Sequence, residues 1–447
     1  MWGHEDLMIK GAMYLERLPS PHIINTSGSC IDVYECMIGF LYALSARYGL
    51  LDVARAVLSY AVDSATMYTG VYDDALLEVL RGDVPLPRVD ELPKWGSIRP
   101  RGALFRTKKE WRPARVADGV AVSLFTGAYG LDLGFELAGF HIAVGLDISE
   151  NSMKIVKANR PSLPFVLSDV TRFKPEDYLR EARLKPGEAD VLIAGPPCQP
   201  FSSFGKRLGW LDARSSAIKA LGKYIEYIKP RVVVVEEVPP AKGVLLPYLR
   251  RVAQRLGYEI SSAVLNAWHY DTAQDRRRLF VVLSKGGVWA PPQPSPRRFA
   301  FAEVAPPGSE DVGWAELPES VARYAPYIPG GGSWRVLPRK LAKEAMGRAL
   351  LQRGGKTGFL RRIAWFWPAP TLVARPTHRG TTLMHPWEDR PLGVREYLLV
   401  QGFPRDWSVP LPIRSAYYLI GQAVPVPLAY HVAKSVAALL NGRKKGS

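Results

Sequence analysis

The chain has 447 residues, of which 11% are aromatic and 23% charged, the proportions of a folded protein, and its length suffices for two to four domains of about 100 to 200 residues. Its formal charge of +17 points to an anionic partner, nucleic acid first, because such an excess otherwise only adds self-repulsion. Three cysteines, Cys30, Cys36 and Cys198, exclude a disulfide framework, and none pairs with another as Cys-x-x-Cys, so no metal is expected.

Other features of composition narrow the setting. The apolar run Met37 to Ala46 is too short to cross a bilayer, which leads us to expect a soluble cytoplasmic protein with no signal peptide and no membrane partner. Scarce Asn and Gln beside abundant Arg, Pro and Glu suit a thermophile.

In chain order, residues 1–115 read as an N-terminal helical extension, with helices over Ile31 to Arg47, Leu51 to Val62 and Asp73 to Leu80, then a linker rich in Pro and basic residues. This stretch holds no catalytic constellation and reads as a packing module or partner surface. Residues 116–285 alternate apolar strands with helical stretches: Val120 to Leu124, Ile142 to Leu146, Phe165 to Leu167, Val191 to Ala194, Val232 to Val235, Ile260 to Leu265 and Leu279 to Leu283. The expected fold class is α/β, a Rossmann-like domain with a mostly parallel, doubly wound sheet. Residues 286–410, with clusters of Pro, Gly, Trp and Arg, read as a smaller irregular domain, and 411–447 as a segment returning to the first domain on a helix from about Val426 to Leu440.

Four stretches carry chemistry. Ser123 to Gly134 is a strand, a glycine turn and a helix start, with glycines at 127, 130 and 134 rather than in the Gly-x-Gly-x-x-Gly pattern that brings backbone close to a pyrophosphate. A nucleoside ligand without phosphate, such as S-adenosylmethionine, suits this looser turn. Asp147 ends the second strand 20 residues beyond Gly127, where a ribose-binding carboxylate belongs, and Asp169 follows the third. The fourth strand runs into Gly195-Pro-Pro-Cys-Gln-Pro-Phe-Ser-Ser-Phe-Gly205, a proline-stiffened loop that holds Cys198 at the carboxyl edge of the sheet. The fifth delivers Glu236 and Glu237 to the same edge, and Gln274-Asp-Arg-Arg-Arg278 offers planar guanidinium groups that can clamp a base or a carboxylate.

Gly195-Pro-Pro-Cys-Gln-Pro-Phe-Ser, in this order with the other stretches, resembles the cytosine-C5 DNA methyltransferase family, whose motifs cover residues of about 120 to 435. The resemblance implies Cys198, Glu236, Arg276 and Arg278 as catalytic residues. It implies S-adenosylmethionine as cofactor, held by Phe125, Thr126, Gly127, Tyr129, Gly130, Asp147, Ile148, Asp169, Val170 and Pro196, with Gln422, Ala423 and Val424 from the last motif. It also implies Pro197, Gln199, Ser202 and Gln274 at the substrate, double-stranded DNA as partner with a restriction endonuclease as a further possible one, and target recognition by the irregular domain. The late stretch Arg390 to Glu396 with Gln401-Gly-Phe-Pro404 resembles a structural motif to which no chemistry is assigned. This chain departs from the family at two places, Glu237 and Gln422, where asparagine is usual. A transfer-RNA methylase and a catalytically silent DNA-binding relative remain open at this point.

Overall fold

The computed structural model describes residues 111–442 apart from 112, 198–214, 306–312, 329, 338, 352–357, 365–366 and 387. The expected N-terminal helices, and Cys198, Gln199 and Ser202, lie outside the described residues. The chain divides into two compact units, one within Lys109–Arg297 and Tyr397–Ser447, the other within Arg298–Glu396.

The first unit is built on a seven-stranded sheet: β1 (Val120–Leu124), β2 (His141–Asp147), β3 (Phe165–Leu167), β4 (Val191–Ala194), β5 (Val232–Glu237), β6 (Glu259–Asn266) and β7 (Arg277–Ser284), in the order β3-β2-β1-β4-β5-β7-β6. The first five run parallel, and β7 is antiparallel to both of its neighbours. β4 and the valines of β5 are buried on both faces, which is why they read as unbroken apolar runs. The chain leaves β1 toward β2 and β3 and then crosses to β4 and β5, so the switch point lies between β1 and β4, where open α/β sheets gather their ligands.

Helices α1 (Gly130–Ala138), α2 (Glu150–Asn159), α3 (Pro175–Glu181), α4 (Ser215–Ile228) and α5 (Lys242–Leu256) cover the sheet. Leu192, Val233, Val235 and Val281 pack with Tyr178, Leu221, Tyr224 and Leu245 in one core, each buried aliphatic side chain contributing about 1.5–3 kcal/mol. Two strands run past the apolar stretches that announced them. β5 continues through both glutamates and β7 starts at Arg277, because Glu236 pairs with Phe280 and Glu237 with Leu279. Ladder pairing thus carries charged residues that break the hydrophobic pattern.

Residues 286–297 belong to this first unit, where the Trp289 indole donates to Ser435 at 2.7 Å and the Trp289 carbonyl accepts from Ser261.

Among its described residues the second unit has, beyond α6 (Arg339–Met346), only short helical turns and two-residue strands. Its core is Val321, Tyr324, Ile328, Leu337, Ala345, Leu360 and Met384. Few of its carbonyls have ladder partners, and buried Arg362 answers several of them. It donates to the carbonyls of Ile328 (2.6 Å), Ala325 (2.7 Å), His385 (2.9 Å) and Glu388 (2.7 Å) and to the Asp389 carboxylate. Beside it His385 is held neutral, its pKa pushed down to about 2 by burial and by Arg390 and Arg362.

Helix α7 (Val394–Val400) is followed by α8 (Ile413–Gln422) and α9 (Val426–Asn441), which return to the first unit. By length and composition alone Ile413–Asn441 could cross a membrane. Here it is two helices separated at Ala423 to Pro425, and α9 buries Val426, Leu428, Val432 and Val436 inside the protein. α9 lies so close to α1 that a Cβ on Gly134 would stand 2.3 Å from that of Ala429.

Candidate active site

The carboxyl ends of β1, β2, β4 and β5 bring Phe125, Asp147, Gly195 and Glu236 to one edge of the sheet. Glu236 is 8% exposed, and its Oε1 accepts from Arg278 Nε at 2.9 Å. Its other oxygen turns toward the loop after β4: a Cβ on Gly195 would lie 3.7 Å from Glu236 Oε2 and 3.9 Å from the Phe125 carbonyl. Three separate motifs therefore converge on Gly195, the root of the proline loop. Burial raises the Glu236 pKa above the usual carboxylate range, against the opposing charges of Arg278 and Arg276.

Side-chain alternation along β7 puts Arg278 on the Glu236 face and Arg277 on the other, where it is exposed. Arg276 is only 1% exposed and its Nη1 donates to Gln274 Oε1 at 3.4 Å. Gln274, expected at the substrate, is wholly buried and donates through Nε2 to Gln401 Oε1 at 2.8 Å. Gln401 lies outside the set of expected site residues. A neutral amide carries no charge signature, and only its place in Gln401-Gly-Phe-Pro404 marks the stretch.

The glycine turn takes left-handed backbone at Phe125 (φ 60°), Gly127 (φ 56°) and Tyr129 (φ 73°). Asp147 fastens this turn to the end of β2, its Oδ2 accepting from the Gly127 N–H and its Oδ1 from the Ser149 N–H, both at 2.8 Å. Thr126 is buried, with its hydroxyl directed to the Leu146 carbonyl and Ser123. Tyr129 also turns inward, stacking on Trp407 at 6.0 Å between centroids and donating to Glu136 at 2.5 Å. Its main chain remains at the turn, while its side chain is engaged in packing.

Ile148, beside Asp147, is 70% exposed, an unusual state for isoleucine. Asp169 Oδ1 accepts from the Thr171 backbone and hydroxyl, Val170 and Pro196 are buried, and Pro197 is partly buried. From the far end of the chain, Ala423 and Val424 close against the turn: a Cβ on Gly130 would lie 2.3 Å from the Val424 carbonyl oxygen. Gln422 points outward and is exposed.

Glu237 does not share the pocket with Glu236, because consecutive strand residues face opposite sides. It is 1% exposed, its Oε2 accepts from the Val238 N–H at 2.8 Å, and Oε1 has no hydrogen-bond partner among the described residues. Burial, with Glu236 adding to it, pushes its pKa up to about 8. The carboxyl that replaces the family's asparagine is therefore a neutral group near pH 7, which explains how an acid occupies an amide's position.

A doubly wound sheet with a reversed seventh strand, a glycine turn anchored by Asp147 and a buried acid facing Gly195 define a Rossmann-like methyltransferase. Comparison with known proteins agrees: the family model for C-5 cytosine-specific DNA methylase matches residues 120–300 and 340–438. The Type II methyltransferase M.Sau96I of Staphylococcus aureus is 34% identical over 330 residues, covering 71% of this chain and 75% of that protein. M.Eco47II of Escherichia coli is 33% identical over 361 residues, covering 76% and 84%. Among solved structures, a prophage-encoded protein of Escherichia coli (TM-score 0.54, 21% identity) and the Entamoeba histolytica methyltransferase EhMeth (TM-score 0.52, 13% identity) each cover 72% of this chain, with 100% and 99% of their own chains matched, and share the fold. The chain belongs to the C-5 cytosine-specific DNA methylase family and is a DNA cytosine-5 methyltransferase.

Proposed function

We propose that the chain methylates cytosine in double-stranded DNA through a covalent bond between Cys198 and C6 of a flipped-out base. The observation that carries this reading is the Glu236–Arg278 pair at the edge facing Gly195, three residues before Cys198. C5 of cytosine is a weak nucleophile, so the ring needs activation. The Cys198 thiolate adds to C6 while Glu236, whose burial favours its protonated form, protonates or hydrogen-bonds N3. The electron pair reaches C5, which would take the methyl group as the bond between that methyl and the donor's sulfonium breaks, leaving a neutral thioether. Loss of the C5 proton to water, elimination of the thiolate and return of the N3 proton to Glu236 then restore the aromatic ring and the enzyme. Because C5 and C6 are stacked within a duplex, the base must leave the helix first. We assign recognition of the flanking sequence to the second unit.

The donor-side residues fit S-adenosylmethionine, which when bound supplies an electrophilic methyl group on sulfonium. Exposed Ile148 offers an apolar surface for an adenine ring. Asp147, although it holds the turn, keeps lone pairs for ribose hydroxyls, and Asp169 is within the same edge. Val424 and the main chain of 125–130 form the remaining wall. The Type II methyltransferases among its relatives support a role beside a restriction endonuclease in the cytoplasm, protecting the host's own sites.

Incubation with methyl-labelled S-adenosylmethionine and duplex DNA tests the reading, with transfer RNA as the competing substrate. Label should enter DNA alone, and Cys198→Ala should abolish transfer while retaining donor binding. Wild-type turnover by that variant would overturn the covalent route.

A further inference from the structure

Between the arginines beside Glu236 and the turn that closes on Gly130 runs a line of buried side-chain amides. Gln401 is wholly buried, and its Nε2 donates to the carbonyls of Ile420 (2.6 Å) and Ala423 (3.1 Å). Its Oε1 accepts from Gln274 Nε2 at 2.8 Å, and Gln274 Oε1 accepts from Arg276 Nη1 at 3.4 Å. Main-chain bonds secure Gln401 as well: its carbonyl accepts from Val426 N at 2.8 Å and its N–H donates to Tyr397 O at 3.1 Å.

The direction of this line is determined by chemistry. Two carbonyl oxygens at the end of α8 only accept, so Gln401 must offer them its nitrogen and turn its oxygen to Gln274. Gln274 must then present nitrogen to Gln401 and oxygen to Arg276, which only donates. Reversing either amide opposes two donors or two acceptors away from water, at a cost of about 1–3 kcal/mol per unsatisfied group. The line therefore has one arrangement, which joins the 420–424 turn to Arg276.

We propose that Gln401 is a positioning residue for methyl transfer: through Gln274 it keeps Arg276 oriented beside Glu236 and in register with the 420–424 turn that packs against the glycine turn. The proposal rests on the mechanism above, in which Glu236 acts in its protonated form. Among the described residues, the charged groups around Glu236 are Arg278 on β7, Arg276 just before it, and Glu237 on the opposite face of β5. Releasing Arg276 removes part of the positive charge that opposes proton retention. The Glu236 pKa then rises, and the basic limb of the pH–rate profile moves to higher pH.

The test compares steady-state kinetics of the full-length protein as wild type, Gln401→Met, Gln274→Met, the double variant and Arg276→Ala. Each is measured from about pH 5.5 to 9.5, with duplex DNA and S-adenosylmethionine, alongside thermal melting. Methionine preserves approximate side-chain volume, so the core stays filled. We expect Gln401→Met to lose about tenfold to a hundredfold in kcat and to move the basic limb in the same direction as Arg276→Ala. The double variant should be no worse than the poorer single one. A purely structural role would lower the melting temperature and leave the pH profile of the folded fraction unchanged, and that result would overturn the proposal. Should Gln401→Met not fold, the same limb shift in Gln274→Met carries the test, and its absence there refutes the relay. Wild-type rates and pH dependence in Arg276→Ala would instead refute the mechanism on which the relay acts.

Discussion

The Nε of Arg278 meets Oε1 of Glu236 at 2.9 Å with both side chains about nine-tenths withdrawn from solvent, so the acid at the heart of the site is ion-paired to Arg278 while Arg276 adds positive charge nearby. Glu236→Gln keeps the shape but offers no transferable proton. Its kcat should fall by about 10²- to 10⁴-fold, while donor affinity stays within a factor of about three. Rapid-quench single-turnover assays with duplex DNA measure the chemical step directly. Unchanged turnover would remove Glu236 from the mechanism.

Removing the cation tests the same pair from the other side. Arg278→Ala leaves a buried carboxylate without its partner, a change that costs roughly 3–5 kcal/mol when the charge cannot be relieved. Acid relieves it by protonation. The loss of melting temperature relative to wild type should therefore be larger at about pH 8 than at about pH 5.

Glu237 makes stability depend on pH in a defined direction. Its carboxyl rises from the ordinary 4.5 to about 8 in the folded protein, so between those values the native state keeps a proton that the unfolded chain releases. The favourable contribution is complete below about pH 4.5, falls as pH rises, and is gone above about 8. Glu237→Gln should flatten this part of the stability curve and stabilise the protein at about pH 8 by a few kcal/mol, since each pH unit separating the folded and unfolded values is worth about 1.4 kcal/mol. Denaturant titrations at about pH 5, 6.5 and 8 for both proteins read the slope. Parallel curves would mean that Glu237 is ionised throughout.

Gly130 and Gly134 are required by close approach to the end of the chain. A methyl group at 130 would stand 2.3 Å from the Val424 carbonyl oxygen, and at 134 an equal distance from Ala429 Cβ. Gly134→Ala should cost about 1–3 kcal/mol by overpacking without a selective effect on the donor. Gly130→Ala displaces the 423–424 wall and should raise KM for S-adenosylmethionine severalfold more than KM for DNA. Equal changes in both constants would argue against Val424 as part of the donor wall.

In the second unit, Arg362→Met deprives four backbone carbonyls and the Asp389 carboxylate of their donor. Limited proteolysis of the full chain should then open new sites within 298–396, with DNA methylation lost and donor binding retained. A wild-type digestion pattern would show that this network is dispensable.

The seven strands and the last helix are readable because apolar runs of the right length alternate with helical stretches, and buried parallel strands leave that trace. Ends are less readable: charged Glu236, Glu237 and Arg278 belong to strands that their chemistry disguises. Tyr129 and Gln274 belong to the stretches that the sequence marks, yet their side chains serve packing and hydrogen bonding inside the protein. Nothing local to a sequence reveals which way a side chain turns once a distant Trp407 or Gln401 is brought beside it.

What the sequence determined by itself is the order of chemical parts, since a proline-locked cysteine loop, an acid after a valine strand and spaced arginines are each recognisable from neighbours in the chain. What only the tertiary structure decided is how charge and polarity are shared among them. Pairing of β5 with β7 joins Glu236 to Arg278, strand alternation sends Glu237 to the opposite face as a neutral acid, and the returning C-terminal segment connects Arg276 to the 420–424 turn through two amides. Those relationships depend on burial and on residues brought together from distant parts of the chain, and they exist only once the chain has closed on itself.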